Sequence, residues 1–125
     1  MSKERFQVEY SLNTSAKLIF ARLSTPGGLN EWFADNVTVR GKNYTFAWGE
    51  ESRVAELTAI KDLRFVRFHW LDDDDAYYFE FRLTSEELTS DLALVVIDFA
   101  EPDEIESAKE LWDAQIADLK HNLGA

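Results

Sequence analysis

The residues able to do chemistry in this chain are few. Cysteine is absent, and His69 and His121 are the only histidines, so disulfides, thiolate metal sites and cysteine nucleophiles are excluded. His69 alternates onto the outer face of a strand beside Arg67, and His121 falls in the last turn of a helix. Neither has a second ligand in view, and a Ser-His-Asp or Cys-His arrangement would have no inward base, so the sequence shows neither a metal site nor a catalytic set. Asp72 to Asp75 place four carboxylates in a row. They lack the alternate spacing, central glycine and terminal glutamate of a calcium loop, and read as a solvated turn. Asp98 is the one acid whose alternation turns it inward. It is a general base or a ligand acceptor, or else, in the preferred reading, a structural acceptor of backbone N–H groups where strand passes to helix. No cofactor is implied.

Aromatic residues dominate what remains, with nine Phe, four Trp and four Tyr. Phe46, Trp48, Leu57, Phe68, Trp70, Tyr77, Phe79 and Phe81 alternate onto one face of a predicted sheet, and Trp112 and Ile116 point at that face from the final helix. Together they are the candidate lining of a pocket with Tyr hydroxyls and indole N–H groups as polar handles. The competing and favoured reading is a filled core, because large rings tend to close-pack. Trp32 and Phe33 are either a lid at the pocket mouth, given freedom by Gly27 and Gly28, or two more rings on the core.

Positioning these side chains requires the elements around them. Phe6, Val8, Tyr10 and Leu12 have the period of a half-buried strand. Asn13 or Thr14 is placed to cap a short helix with Ala16, Ile19, Phe20 and Leu23 inward, and Pro26 opens a second with Leu29, Trp32 and Phe33 on one side. Strands follow from Asn36. A turn at Gly41 and Lys42 sets Val39 against Tyr44 and Val37 against Phe46. A turn over Gly49 to Ser52 puts Ala55, Leu57 and Ala59 on the same face as Tyr44, Phe46 and Trp48. In the hairpin Arg64 to Leu83, one register pairs Leu71 with Ala76, Trp70 with Tyr77, Phe68 with Phe79, Val66 with Phe81 and Arg67 with Glu80. The last strand is expected from about Leu88 to Phe99, with Leu92, Leu94 and Val96 inward and Val95 and Ile97 outward without an assigned partner. Ile105, Ala108, Trp112, Ile116, Leu119 and Leu123 form the stripe of a closing helix, started by Pro102, Asp103 and Glu104 and ended by Lys120, His121 and Gly124.

The chain is 125 residues long, enough for a single domain over 1–125 with a sizeable core. Thirteen basic and twenty-four acidic residues give a net charge of -11, which disfavours nucleic acid and anionic membrane surfaces. No run approaches the length of a membrane span and no leader-like apolar run opens the chain, which predicts a cytoplasmic protein.

With the element order in place, Ser24 to Asp35 (STPGGLNEWFAD), Arg67 to Asp73 (RFHWLDD) and the ending LWDAQIADLK give a resemblance. The chain resembles the START-like branch of the helix-grip superfamily, whose relatives include activators of the heat-shock-protein ATPase, polyketide cyclases and pollen allergens. Trp32, Trp70 and the ending are most similar to a branch of small bacterial proteins. The resemblance implies an α+β fold, a curved antiparallel sheet of about seven strands gripping the C-terminal helix, with a cavity that in many relatives holds an apolar or amphipathic small molecule. The expected function is therefore non-enzymatic binding of such a lipid-like molecule. The alternatives are a protein-interaction or co-chaperone-like module, with a protein partner or a homodimer, using its acidic outer surface or the outward residues Phe65, Val95 and Ile97, and a cyclase- or hydrolase-type enzyme.

Overall fold

The computed structural model describes residues 2–85 and 91–124. Its elements are β1 (Glu4–Leu12), α1 (Ala16–Ser24), α2 (Pro26–Asn30), β2 (Asn36–Arg40), β3 (Asn43–Trp48), β4 (Glu51–Lys61), β5 (Phe65–Trp70), β6 (Phe79–Ser85), β7 (Leu92–Ala100), a 3₁₀ turn at Pro102–Glu104, and α3 (Ile105–Leu123). The strands form one seven-stranded antiparallel sheet in the order β1-β7-β6-β5-β4-β3-β2. β1 thus closes against the last strand, and the sheet curves around α3. This is the helix-grip α+β arrangement that the sequence predicts. The expected start of β7 at Leu88 lies outside the described residues.

α3 covers the sheet because its stripe demands it. Trp112, Ile116 and Leu119 are buried, while Ile105, Ala108 and Leu123 pack at the edge of the core. Across from them Phe46, Phe68, Phe79 and Phe81 are 0–1% exposed, and burying each such side chain stabilises the fold by roughly 1.5–3 kcal/mol. The short helices close the other flank. Ser15, one residue beyond the expected caps, accepts the Leu18 N–H at 3.2 Å and starts α1. Thr25 Oγ1 accepts the Gly28 N–H at 2.9 Å and starts α2. Gly28 sits directly against the Ala21 carbonyl, and a Cβ there would lie 2.6 Å from Arg22 Cα. Only glycine permits the two helices this approach.

The hairpin registers show which expectations hold. Val39 faces Tyr44 and Val37 faces Phe46 as predicted. In β3 and β4 the turn is tighter than expected: Gly49, at φ +61, and Glu50 connect the strands, and Trp48 faces Glu51 while Phe46 faces Arg53. The shift from the predicted register is even, so the inward face is preserved. A bulge between Leu57 and Ala59 then reverses the alternation, and Ala59 faces Arg67 on the outer side instead of the inner one. Phe68–Phe79, Val66–Phe81 and Arg67–Glu80 pair as predicted. The ladder stops there. Trp70 and Tyr77, and Leu71 and Ala76, do not pair, because Leu71 N–H turns to Val54 O, Tyr77 N–H to Asp74 O, and Ala76 N–H to the Asp74 carboxylate.

The outer face has its own small apolar layer. Val95 and Ile97 face outward, yet they are only 7% and 5% exposed. Their cross-strand neighbours are Arg82 and Glu80. Glu80 is buried and binds Arg67 Nε at 2.8 Å and Arg82 Nε at 3.0 Å. The two guanidiniums also lie over rings, Arg67 on Tyr78 and Arg82 on Phe65. The arginine stems and rings shield the valine and isoleucine while the charged heads stay wet.

Candidate functional site

Four elements bring their ends together at one end of the sheet. β3 ends on Trp48, β5 ends on Trp70, β7 nears its end at Asp98, and α3 passes over them with Ala108, Leu111, Trp112 and Gln115. Phe33, after α2, and Arg53, near the start of β4, complete a cleft of about 380 Å³ between sheet and helix. Its walls are rings. Phe33 stacks with Trp112 at 6.1 Å between centroids and meets Trp48 edge-on at 5.7 Å, and Trp48 and Trp70 are 6.3 Å apart.

Asp98 supplies the cleft's carboxylate. Its Oδ2 accepts the Trp112 indole N–H at 2.9 Å and its Oδ1 accepts the Phe99 backbone N–H at 2.8 Å. Burial pushes its pKa above the ordinary value, and the two N–H donors pull the other way. Arg53 lies over the Trp70 ring, 4.0 Å from its centre, and its guanidinium grips Asp72 through two bonds of 2.9 and 2.7 Å. That bidentate bond holds the Asp72 carboxyl below the usual carboxylate range. A smaller polar recess of about 150 Å³ adjoins the cleft, sharing Arg53, Trp70 and Asp98 and adding Lys3, Asp73, Tyr77, Tyr78 and Phe99. There Lys3 Nζ binds Asp73 at 2.8 Å. The first two aspartates of the acidic run are thus engaged in ion pairs.

The predicted lining divides into groups. Phe33, Trp48, Trp70 and Trp112 line the cleft. Phe46, Phe68, Phe79, Phe81 and Ile116 lie behind it in the core, and the four phenylalanine rings run in contact one to the next, with Phe68 and Phe79 stacked at 5.2 Å. Leu57 is half-buried against the same core. Trp32 is buried, donates its N–H to Arg22 O at 2.8 Å and borders an adjoining hollow with Asn30, Asp35 and Asp118, which shares Phe33, Trp48 and Gln115 with the cleft. Tyr77 leaves the inner face. Its ring packs on Phe99 at 5.2 Å and its hydroxyl accepts the Lys3 N–H at 3.0 Å, because the ladder has already ended at Phe79. The sequence reading missed Arg53 and Gln115. Arg53 has a signal in the sequence, since it alternates onto the same inward face as Ala55 and Leu57.

Other polar groups hold the frame. Tyr10 donates to Asp113 Oδ1 at 2.7 Å, fastening β1 to α3, and burial raises the Tyr10 hydroxyl pKa well above its ordinary value. His69 lies on the outer side, with Nδ1 against Tyr77 O at 2.7 Å. A hollow of about 760 Å³ at the far end is bordered by Ser15, Arg64, Arg82 and Thr84 and has no comparable ring wall.

A family model described as a START-like superfamily domain matches residues 1–125. The chain belongs to the START-like superfamily. Among solved structures, this START-like domain is similar to the solution structure of BfR322 from Bacteroides fragilis, at 45% identity and a TM-score of 0.71, over 98% of this chain and 93% of that one. It shares its fold with an Aha1 dimer from Colwellia psychrerythraea, at 15% identity and a TM-score of 0.78, over 94% and 93% of the two chains. DynU16, from the dynemicin biosynthetic locus, has the same fold at 16% identity and a TM-score of 0.78, over 97% of this chain and 47% of that one. No curated protein matches. Among the described residues, no helix of the START-like domain is long and apolar enough to cross a membrane.

Proposed function

We propose that this START-like domain is a non-enzymatic binding protein for an apolar or amphipathic small molecule, held in the cleft between the sheet and α3. The observation that carries this reading is the cleft's composition: Phe33 and three indoles as walls, with Arg53, Asp98 and Gln115 as the polar groups. A concave, ring-walled site with a few convergent polar groups is the usual form of a small-molecule site, and about 380 Å³ is within the range of such sites. The ligand would lie at one end of the sheet, beside the packed rings of Phe46, Phe68, Phe79 and Phe81. The lining favours binding over catalysis, since Asp98 is its one acidic residue and neither histidine lines the cleft, which leaves no acid–base pair facing it. The interaction-module reading draws on the acidic outer surface or on Phe65, Val95 and Ile97 as exposed apolar residues, and only the apolar alternative is testable from packing. Val95 and Ile97 are buried, and Arg82 covers Phe65, so that reading has the weaker support.

Displacement of the neutral dye 1-aminoanthracene, with native mass spectrometry of gently purified protein, tests the proposal. The wild type should take up the dye, and Ala108→Phe, which fills the cleft from the helix side, should weaken uptake by about tenfold or more. Failure of the wild type to take up the dye, or equal uptake by both proteins, would count against the cleft as the site.

A further inference from the structure

We propose that the ligand of this cleft is an amphiphile with a cationic head, an alkylammonium or similar organic cation, seated against the indoles with Asp98 as its counter-charge. This rests on the small-molecule reading above and specifies the chemistry of its polar end.

The arrangement of charge carries the inference. The two cations near the cleft are already matched: Arg53 by two bonds to Asp72, and Lys3 by Asp73. An anionic head would have to compete with Asp72 or Asp73 for these cations, and would approach Asp98 as it did so. Asp98, by contrast, accepts only the neutral N–H groups of Trp112 and Phe99, and among the described residues it forms no ion pair. Each oxygen retains a further lone pair. Burial destabilises its ionised form, and a cation brought alongside would relieve that cost.

The walls favour the same partner. Indole has the strongest ring quadrupole for attracting a cation, and Trp48, Trp70 and Trp112 all line the cleft. The structure already shows this preference in use, because the Arg53 guanidinium rests 4.0 Å from the Trp70 ring centre. A net charge of -11 adds a general attraction for cations.

Titration calorimetry with three probes that share one alkyl chain tests the inference: decyltrimethylammonium, 1-decanol and decanoate, each below its aggregation concentration. The cation should bind about tenfold tighter than decanol, and decanoate weakest. Asp98→Asn should erase most of the preference for the cation over decanol. Trp70→Leu should weaken the cation more than decanol, and circular dichroism verifies that both variants are folded. Equal affinity for all three probes, or decanoate tightest, would overturn the cationic head and leave the amphiphile reading standing. Binding of none of them would remove both.

Discussion

The Trp112 indole N–H meets Asp98 Oδ2 at 2.9 Å, so the middle of α3 is tied to the end of β7 by the same carboxylate that faces the cleft. The tie has two consequences. It fixes the ring that forms one wall, and it keeps Asp98 aimed between wall and recess. Packing and polarity at this site therefore depend on each other, and changes to either residue should be felt in both.

Replacing Trp112 with Phe retains a ring against Phe33, Phe79 and Phe81 but removes the N–H donor. Asp98 then loses a bond in a half-buried site, and the domain should lose about 1 to 3 kcal/mol. Trp112→Ala also loses the ring contacts, and should cost roughly 3 to 5 kcal/mol. Urea unfolding measures both. A Phe variant as stable as the wild type would mean that the indole bond contributes nothing.

Asp98 should leave a signature in the pH dependence of stability. Burial raises its folded pKa, Trp112 and Phe99 oppose the rise, and of the nearby charges Lys3 lowers it while Asp73 raises it. Arg53, on β4, lines the same cleft. A carboxyl with a raised folded pKa holds its proton more tightly in the native state. Its contribution to stability is full below the unfolded value, about 3.9, and is lost as pH rises through the folded value. The unfolding free energy of the wild type minus that of Asp98→Asn should therefore fall with rising pH across that window. A difference that stays flat or increases would contradict the assignment.

Gly27 and Gly28 are neighbours with opposite expectations. A Cβ at Gly28 would run into the Ala21 carbonyl and lie 2.6 Å from Arg22 Cα, whereas one at Gly27 meets nothing within 4 Å. Gly28→Ala should destabilise by about 1 to 3 kcal/mol, since backbone must shift. Gly27→Ala should be neutral or stabilise by about 0.4 to 1 kcal/mol through the unfolded chain. Thermal melts of the two variants side by side decide the matter. Similar behaviour of the two would show that α1 and α2 do not pack as described.

On the outer face, Glu80→Gln preserves shape but removes the charge between Arg67 and Arg82. Both arginines are partly exposed and water screens them, so the expected loss is about 1 to 3 kcal/mol, below that of a fully buried pair. Urea unfolding at low and high salt checks it. The loss should shrink as salt rises.

How much of this could be seen in the sequence depended on whether one register satisfied several demands together. β5 and β6 were legible because the Arg67–Glu80 pair and two apolar pairs agree on one alignment. β3 and β4 were legible only in parity, since a shift of two residues keeps the same faces. The bulge beyond Leu57 was not legible. Ala59 and Ile60 are both apolar, so neither alternation conflicts with composition there. The cap of α1 lies in a run of residues that can all cap, Asn13, Thr14 and Ser15, and only the geometry selects Ser15. Alternation identified the inward rings but not which of them border open space. That follows from position along the strand: Phe46 and Phe68 lie within their strands and are sealed, whereas Trp48 and Trp70 are strand-final and reach the rim.

Three of the chain's four tryptophans share that one cleft. Their emission and near-ultraviolet circular dichroism originate largely from a single place, with Trp32 as a buried background. The domain therefore carries an intrinsic optical gauge of its own cleft, and uptake of the proposed ligand there would register on the unlabelled protein.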